Sequence, residues 1–469
     1  METVIKNARV VTGDGILEGI EVGIENGKIA ALDKNLSGQK IIDAQGKYLI
    51  PGGIDVHTHL DTFFGGMQTA DDFTSGHLGA IAGGTTTHLN FCFPERGQSL
   101  IEALSYWINK AHGDALIDYG FHAVIQDESH LQELPQLIEM GISSIKCFLA
   151  YKDKLQINDE LFYKTVEKAK ELGIVTMVHA ENGTLIDYLV RKAMAHQWIS
   201  PLFHAKTRPP EFEAQSIHFA ATVASVLRAP LYIVHLSSKQ GLEEVIRAKR
   251  SGTFLWTETC PQYLFFTEKD LQRKGKSAGL EDFEGAKWIC SPPLRKEEDR
   301  NALWDGLFSG TIDVVSSDHC SFHFIGQKTR GLKDFSKIPS GVPGIEERMI
   351  LLFYYGCMKR KLPLERFVLL NSELPARIFG LDGIKGKIAV GYDADVVIWD
   401  PQIKKTLSVH SHHIRLDYNL YEGFYIEGGP EMVMLRGQII YNNGQFYVKK
   451  ANGQFLFRSP PSILNCPTP

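Results

Sequence analysis

The feature that most restricts this chain is a succession of eight short apolar or β-branched segments, most of them separated by amphipathic ones. The eight are Ile54–Val56, Thr85–Phe91, Tyr119–Ile125, Ser144–Leu149, Ile174–Val178, Leu231–Val234, Thr253–Thr257 and Ile312–Ser316. Helical periodicity fills Gln98–Ala111, Leu131–Met140, Glu160–Glu171, Glu211–Leu227 and Gln240–Lys249 between them. Short apolar strands alternating with helices read as βα units, and eight of them over about 250 residues predict a (β/α)8 (TIM) barrel. An open doubly wound sheet is the alternative, but no GxGxxG follows the first strand. A barrel gathers its chemistry at the C-terminal ends of its strands, so the residues closing each segment become the candidates.

The two ends of the chain have a different texture. Val4–Thr12, Gly19–Ile24, Ile29–Leu32 and Ile41–Ile50 are β-rich runs between Gly and Asn turns, with a hairpin signal at Asn26-Gly27. Gly386–Asp400 and Met432–Tyr447, the latter with Asn442-Asn443-Gly444 at a turn, also read as strands. Neither end is long enough to bury two sheet faces alone. The economical prediction is one small β-sandwich domain made by both termini, with residues 1–50 and 385–469 flanking a barrel of residues 51–384. Two separate β appendages are the alternative. The tail Leu456–Pro469, with four prolines, reads as an arm for assembly.

Charge and cysteine usage narrow the function. Lys+Arg is 50 against Asp+Glu 55, a formal net charge of −5, and there is no basic run to serve as a footprint for nucleic acid. Seven scattered cysteines without CxxC spacing read as a reduced protein and not a disulfide scaffold. The start Met-Glu-Thr-Val-Ile-Lys-Asn carries no apolar signal segment, and no stretch approaches the ~18 apolar residues of a membrane span. A cytoplasmic location without membrane partners is expected, which makes the sequons at Asn35 and Asn182 coincidental.

The first strand ends in Asp55-Val-His57-Thr-His59. Histidines two apart on a strand point the same way, so both imidazoles can converge on one metal ion. Lys146 lies in the apolar fourth segment; His179, followed by Glu181, ends the fifth; His235 ends the sixth; Asp318 ends the eighth. Each has a plain structural reading: a hydrogen-bonded histidine, an ion-paired lysine, a helix-capping aspartate. Their coincidence at one opening outweighs those readings, because four histidines, a lysine and an aspartate make the ligand count of a binuclear metal site. The lysine is the odd member, since an ammonium cannot bind a cation. Desolvation lowers a lysine's pKa and frees the neutral amine to react.

The whole chain resembles the amidohydrolase superfamily, and within it the cyclic amidases, the dihydropyrimidinases and hydantoinases. The resemblance is carried, in order, by Pro51-Gly-Gly-Ile-Asp-Val-His-Thr-His59, Ala70-Asp-Asp-Phe-Thr-Ser-Gly76, Gly83-Gly-Thr-Thr-Thr87 and Ser143-Ser-Ile-Lys-Cys-Phe-Leu-Ala-Tyr-Lys152. It continues through Val178-His-Ala-Glu-Asn182, Val234-His-Leu-Ser237, Cys290-Ser-Pro-Pro-Leu-Arg295, Ser317-Asp-His-Cys320, Pro343-Gly-Ile-Glu346 and Gly391-Tyr-Asp-Ala-Asp395. The resemblance implies that His57, His59 and Asp318 hold one metal, that His179 and His235 hold the second, and that a CO2-derived carbamate on Lys146 bridges the two. The metals it implies are two divalent ions, most often Zn2+. It implies that metal-activated water attacks a ring amide, with Asp318 as proton carrier and Tyr151 as donor to the developing oxyanion. It also implies a homo-oligomer, a tetramer.

Dihydroorotases and allantoinases usually carry an arginine just after the paired histidines, whereas this chain reads His59-Leu-Asp-Thr-Phe63-Phe64. The resemblance then favours a neutral cyclic imide or ureide, with Phe63 and Phe64 as apolar wall. Ser291 and Ser340 would hold the ring through backbone groups; Ser340 stands where many relatives have asparagine. The function implied is hydrolysis of dihydropyrimidines or 5-substituted hydantoins to N-carbamoyl amino acids. An allantoinase or another cyclic ureide amidase is the second reading. A non-catalytic scaffold is the third, disfavoured because the chain has all six ligand candidates. His319, His323, His412 and His413 read as loop residues.

Overall fold

The structure, a computed structural model, describes residues 1–64, 66–275 and 279–461. Eight parallel strands form the barrel: Gly53–Thr58, Thr85–Cys92, Asp118–Val124, Ser144–Phe148, Val175–His179, Leu231–Ile233, Leu255–Thr259 and Val314–Val315. They are hydrogen-bonded in chain order, as the eight apolar segments predict. The eighth is only two residues long, so the ring is completed by an isolated bridge between Thr58 and His319, with the His59 N–H donating to the His319 carbonyl at 2.8 Å. Every strand residue is buried, because one face packs inside the barrel and the other under the helices. Ile54, Val56, Leu89, Phe91, Met177 and Trp256 belong to the apolar cluster on the strands' inner faces.

The helices Leu100–His112, His130–Glu139, Asp159–Leu172, Pro210–Leu227 and Lys239–Arg250 occupy the five periodic segments. Ser99, Asn158 and Ser238 cap three of them by accepting backbone N–H groups. Further helices, Phe73–Ala82, Gly183–Ala195 and Glu297–Ser309, have no counterpart in the expected set.

The termini build two sheets. One contains Lys28–Asp33, Glu21–Glu25, Thr3–Lys6 and Lys40–Asp43. In the other, the N-terminal strands Tyr48–Pro51, Arg9–Thr12 and Gly15–Leu17 continue a ladder of the C-terminal strands Val396–Thr406, Tyr425–Leu435, Gln438–Asn442 and Gln445–Phe446. Ile5, Val22, Ile42, Leu49, Val396 and Met434 share the core between them. At Asn26-Gly27 both residues have positive φ, the backbone a tight two-residue hairpin needs. The buried Lys385 ammonium joins this sandwich to the barrel, contacting Asp118 of the third strand at 2.6 Å and Asp395 at 2.8 Å.

Two expectations need correction. Gly386–Asp395 is not a strand: its backbone turns at Gly386 and Gly391, both at positive φ, and the regular strand begins at Val396. The tail, as far as residue 461, packs on the chain's own barrel and does not project as an arm. The Leu456 N–H donates to the Tyr119 carbonyl, and the buried Arg458 guanidinium donates to Ser144 Oγ at 2.9 Å and to the Phe121 carbonyl. Residues 462–469 lie outside the described residues.

Candidate metal centre

The C-terminal ends of the barrel strands bring His57, His59, Lys146, His179, His235 and Asp318 around one small chamber, with Tyr151, Ser291 and Ser340 on its wall. His57 Nε2 lies 3.0 Å and His59 Nε2 3.3 Å from Asp318 Oδ1, so two imidazoles and a carboxylate converge on one point. On the other side, His179 Nδ1 and His235 Nε2 face each other at 2.9 Å. Tyr151, His235 and Asp318 all have positive φ, at 63°, 37° and 49°. Positive φ is uncommon for side-chain-bearing residues, and here three of them stand at one chamber.

Two carboxylates orient the imidazoles from behind. Glu181 lies 2.9 Å from His179 Nε2, and Glu258 makes a short contact with His57 Nδ1. Each histidine thus presents its other nitrogen toward the chamber, the arrangement in which imidazole binds a metal ion. The nitrogen and carboxylate donors of His57, His59 and Asp318 fit a divalent cation, and the facing imidazoles of His179 and His235 lie on the same chamber.

Lys146 is buried, and among the described residues its amine has no carboxylate within ion-pair distance. It lies instead over the rings of Phe91 and Phe148, 4.8 and 5.2 Å from their centroids. Burial brings its pKa down to about 7, against the opposing charges of Glu258 and Asp318. Burial likewise pulls His59 down to about 4. For Asp318, burial pushes upward, but the charge and hydrogen bonds of His57 and His59 outweigh it and keep the carboxyl ionised. Burial and the charge of Glu181 raise the Tyr151 phenol, against a hydrogen bond from Ser291, so it stays protonated and able to donate.

The loops that carry Ser291 and Ser340 are tied together. The Ser291 and Ser340 hydroxyls are 2.9 Å apart, and Ser291 Oγ also lies 3.2 Å from His204 Nε2. Beneath them the buried Lys328 ammonium donates to the carbonyls of Ile289, Pro339 and Gly341, at 3.3, 3.1 and 2.8 Å.

Outside the chamber, sharing Phe93, Tyr151, Ser291 and Ser340 with it, lies a cavity of about 890 Å³. Phe63 lines this outer cavity on the short strand Phe63–Phe64 and is 66% exposed, so it stands at the entrance and not at the chamber wall. The Phe64 side chain lies outside the described residues. Arg208, also on the outer wall, spends Nη1 on the His204 carbonyl and Thr207 Oγ1.

Sequence reasoning missed Glu258, although an acid ending an apolar strand is the same signal that singled out Asp318. It also treated His319 as a loop residue. His319 is fully buried, bonding Asp71 Oδ2 at 3.1 Å and accepting the Gly344 N–H. His413 contacts Glu346 at 3.0 Å and His323 lies 3.7 Å from Asp417, both outside the chamber.

With this geometry in view, a model of the amidohydrolase family matches residues 48–440. A D-hydantoinase of Geobacillus stearothermophilus is 45% identical, the match covering 99% of this chain and 98% of that protein. A D-hydantoinase of Ralstonia pickettii is 43% identical over 98% of this chain and 99% of that one. Among solved structures, dihydropyrimidinase from Brevibacillus agri superposes with a TM-score of 0.94 at 42% identity, covering 98% of this chain and 99% of that one.

Proposed function

The chain belongs to the amidohydrolase family, among its cyclic amidases of the hydantoinase and dihydropyrimidinase type, and on that premise we propose how its residues open a cyclic amide. The reaction is hydrolysis of a ring C–N bond in 5-substituted hydantoins or dihydropyrimidines, giving N-carbamoyl amino acids. The observation that carries it is the convergence of six ligand-type side chains on one chamber beside Tyr151.

We assign His57, His59 and Asp318 to one divalent ion and His179 and His235 to the other, both Zn2+. When bound, such a pair lowers the pKa of water and polarises the scissile carbonyl. Lys146 would supply a further anionic ligand to the pair: its neutral amine would add CO2, forming an N–C bond and releasing one proton to solvent, to give a carbamate. Its lack of an ionic partner among the described residues and its place over two aromatic rings support this reading.

Asp318, ionised between two histidines, accepts a proton on its carboxylate and delivers it to the leaving ring nitrogen. The Tyr151 hydroxyl donates to the oxygen that becomes negative as the carbonyl is attacked. The loops of Ser291 and Ser340, held by their mutual hydrogen bond and by Lys328, offer backbone groups to the imide edge. The outer cavity takes the exocyclic substituent, with Phe63 at its mouth.

We propose D selectivity, supported by the D-hydantoinases at 45% and 43% identity. A homotetramer is inferred from the family resemblance. A cytoplasmic location is inferred from the cysteines, of which six are free and buried among the described residues. No described helix is long and apolar enough to cross a membrane. Chiral analysis of the N-carbamoyl product from a racemic 5-substituted hydantoin tests the stereochemical part. The D product should dominate; an L product or a racemate formed at equal rates would overturn it.

A further inference from the structure

Glu258 is the next-to-last residue of the seventh strand and is fully buried. Its Oε1 meets His57 Nδ1 and also accepts the backbone N–H of His235 at 3.1 Å. Its Oε2 accepts the hydroxyl of the buried Tyr232 at 2.8 Å. His57 and His235 stand at the two different metal positions. Glu181, in contrast, bonds only one ligand, His179, and its next charged neighbour is the Arg295 guanidinium at 3.8 Å.

We propose that Glu258 is a positioning residue that couples the two metal positions through a single carboxylate. The inference rests on the binuclear reading of the site. Toward His57, the carboxylate holds Nδ1 and so turns Nε2 to the side of Asp318, the nitrogen that would bind an ion there once its proton is displaced. Toward His235, it anchors the N–H of a residue whose φ of 37° is unfavourable for histidine, which keeps Nε2 opposite His179. Removing the charge releases one ligand through its tautomer and ring orientation, and the other through its backbone. Tyr232 holds Oε2 and so fixes the plane in which Oε1 serves both. Glu181 acts on the second position alone.

The test is zinc affinity and stoichiometry, measured by equilibrating full-length protein against a graded series of zinc buffers and counting bound metal. Wild type should hold two equivalents. Glu258→Gln, which retains a neutral acceptor, should weaken both by roughly 10–100-fold, so that they leave over the same range of free zinc. Glu258→Leu should weaken both further, and Tyr232→Phe should have a smaller effect of the same kind. Glu181→Gln should release one equivalent while the other stays near wild-type affinity. Thermal unfolding of the zinc-stripped forms reports whether each variant folds, and Glu258→Gln with Tyr232→Phe decides the matter if Glu258→Leu does not. Wild-type affinity at both positions in Glu258→Gln, or loss of only one equivalent, would overturn the coupling while leaving the binuclear reading intact. A wild-type protein that takes up no zinc would overturn both.

Discussion

The Lys146 amine lies 4.8 Å from the centroid of the Phe91 ring, enclosed by the metal-binding candidates and without a carboxylate partner among the described residues. A buried ammonium in that position is expensive unless its charge is paired or removed. Lys146→Ala should therefore lose both metal equivalents and activity, with short carboxylic acids plus zinc restoring part of each. Lys146→Arg should not rescue, because a guanidinium stays protonated and forms no carbamate. Metal analysis with a turnover assay checks both; full activity in Lys146→Ala would end the carbamate proposal.

Asp318→Asn keeps the shape of the eighth-strand terminus but removes the base. The rate should fall by roughly 10²–10⁴-fold, the range general acid–base catalysis spans. Turnover measured alongside metal content checks this. A variant with its metals and its rate would contradict the role, and one that loses metal shows the carboxylate acting as ligand first.

Tyr151→Phe removes a phenol that burial keeps protonated. It should lower kcat by roughly 10²–10³-fold with a smaller change in KM, because the hydrogen bond matters most when the oxyanion forms. Steady-state kinetics on one hydantoin gives the split. A change confined to KM would place Tyr151 in ground-state binding.

Asp71 couples the His319 segment to stability. Burial pushes its pKa up, but the His319 hydrogen bond and charge, the Arg415 N–H at 2.7 Å and Ser321 outweigh that and hold it at about 2. A carboxyl whose pKa is depressed on folding contributes stability that is present above its unfolded pKa of about 3.9 and is lost as pH falls toward 2. The contribution at neutral pH is on the order of 2 kcal/mol. Denaturant unfolding of the metal-stripped protein should show Asp71→Asn less stable at neutral pH and its deficit shrinking between about pH 4 and pH 2. A deficit constant across that range would contradict the assignment.

The barrel was legible because its strands are continuous apolar runs and its outer helices keep one apolar face, as in Lys239–Arg250. Phe73–Ala82 escaped because it is buried on nearly all sides, which erases helical periodicity, and side chains at Gly76 and Gly83 would collide with Leu60 and Glu346. The gathering of His57, His59, Lys146, His179, His235 and Asp318 at one chamber was legible from their positions at strand ends. Glu258 was not, because an acid at a strand end does not by itself reveal whether it faces a cation or the back of a histidine. His319 was misread for a related reason. Its burial depends on Asp71 and Gly344, residues far away along the chain. The Arg458 plug is set by tertiary packing alone, on a tail whose composition suggests an exposed arm.

The most direct test of the account is an ultraviolet ring-opening assay of the zinc-loaded protein across dihydrouracil, hydantoin, 5-phenylhydantoin, allantoin and dihydroorotate. The loop after His59 carries no arginine, and a substrate carboxylate buried there would go unpaired by that loop, whereas a neutral imide can pair with the backbone near Ser291 and Ser340. Dihydrouracil or the hydantoins should be opened fastest, with little turnover of dihydroorotate, and removal of zinc should abolish the activity. Fastest turnover of dihydroorotate or allantoin, or undiminished turnover without metal, would contradict it.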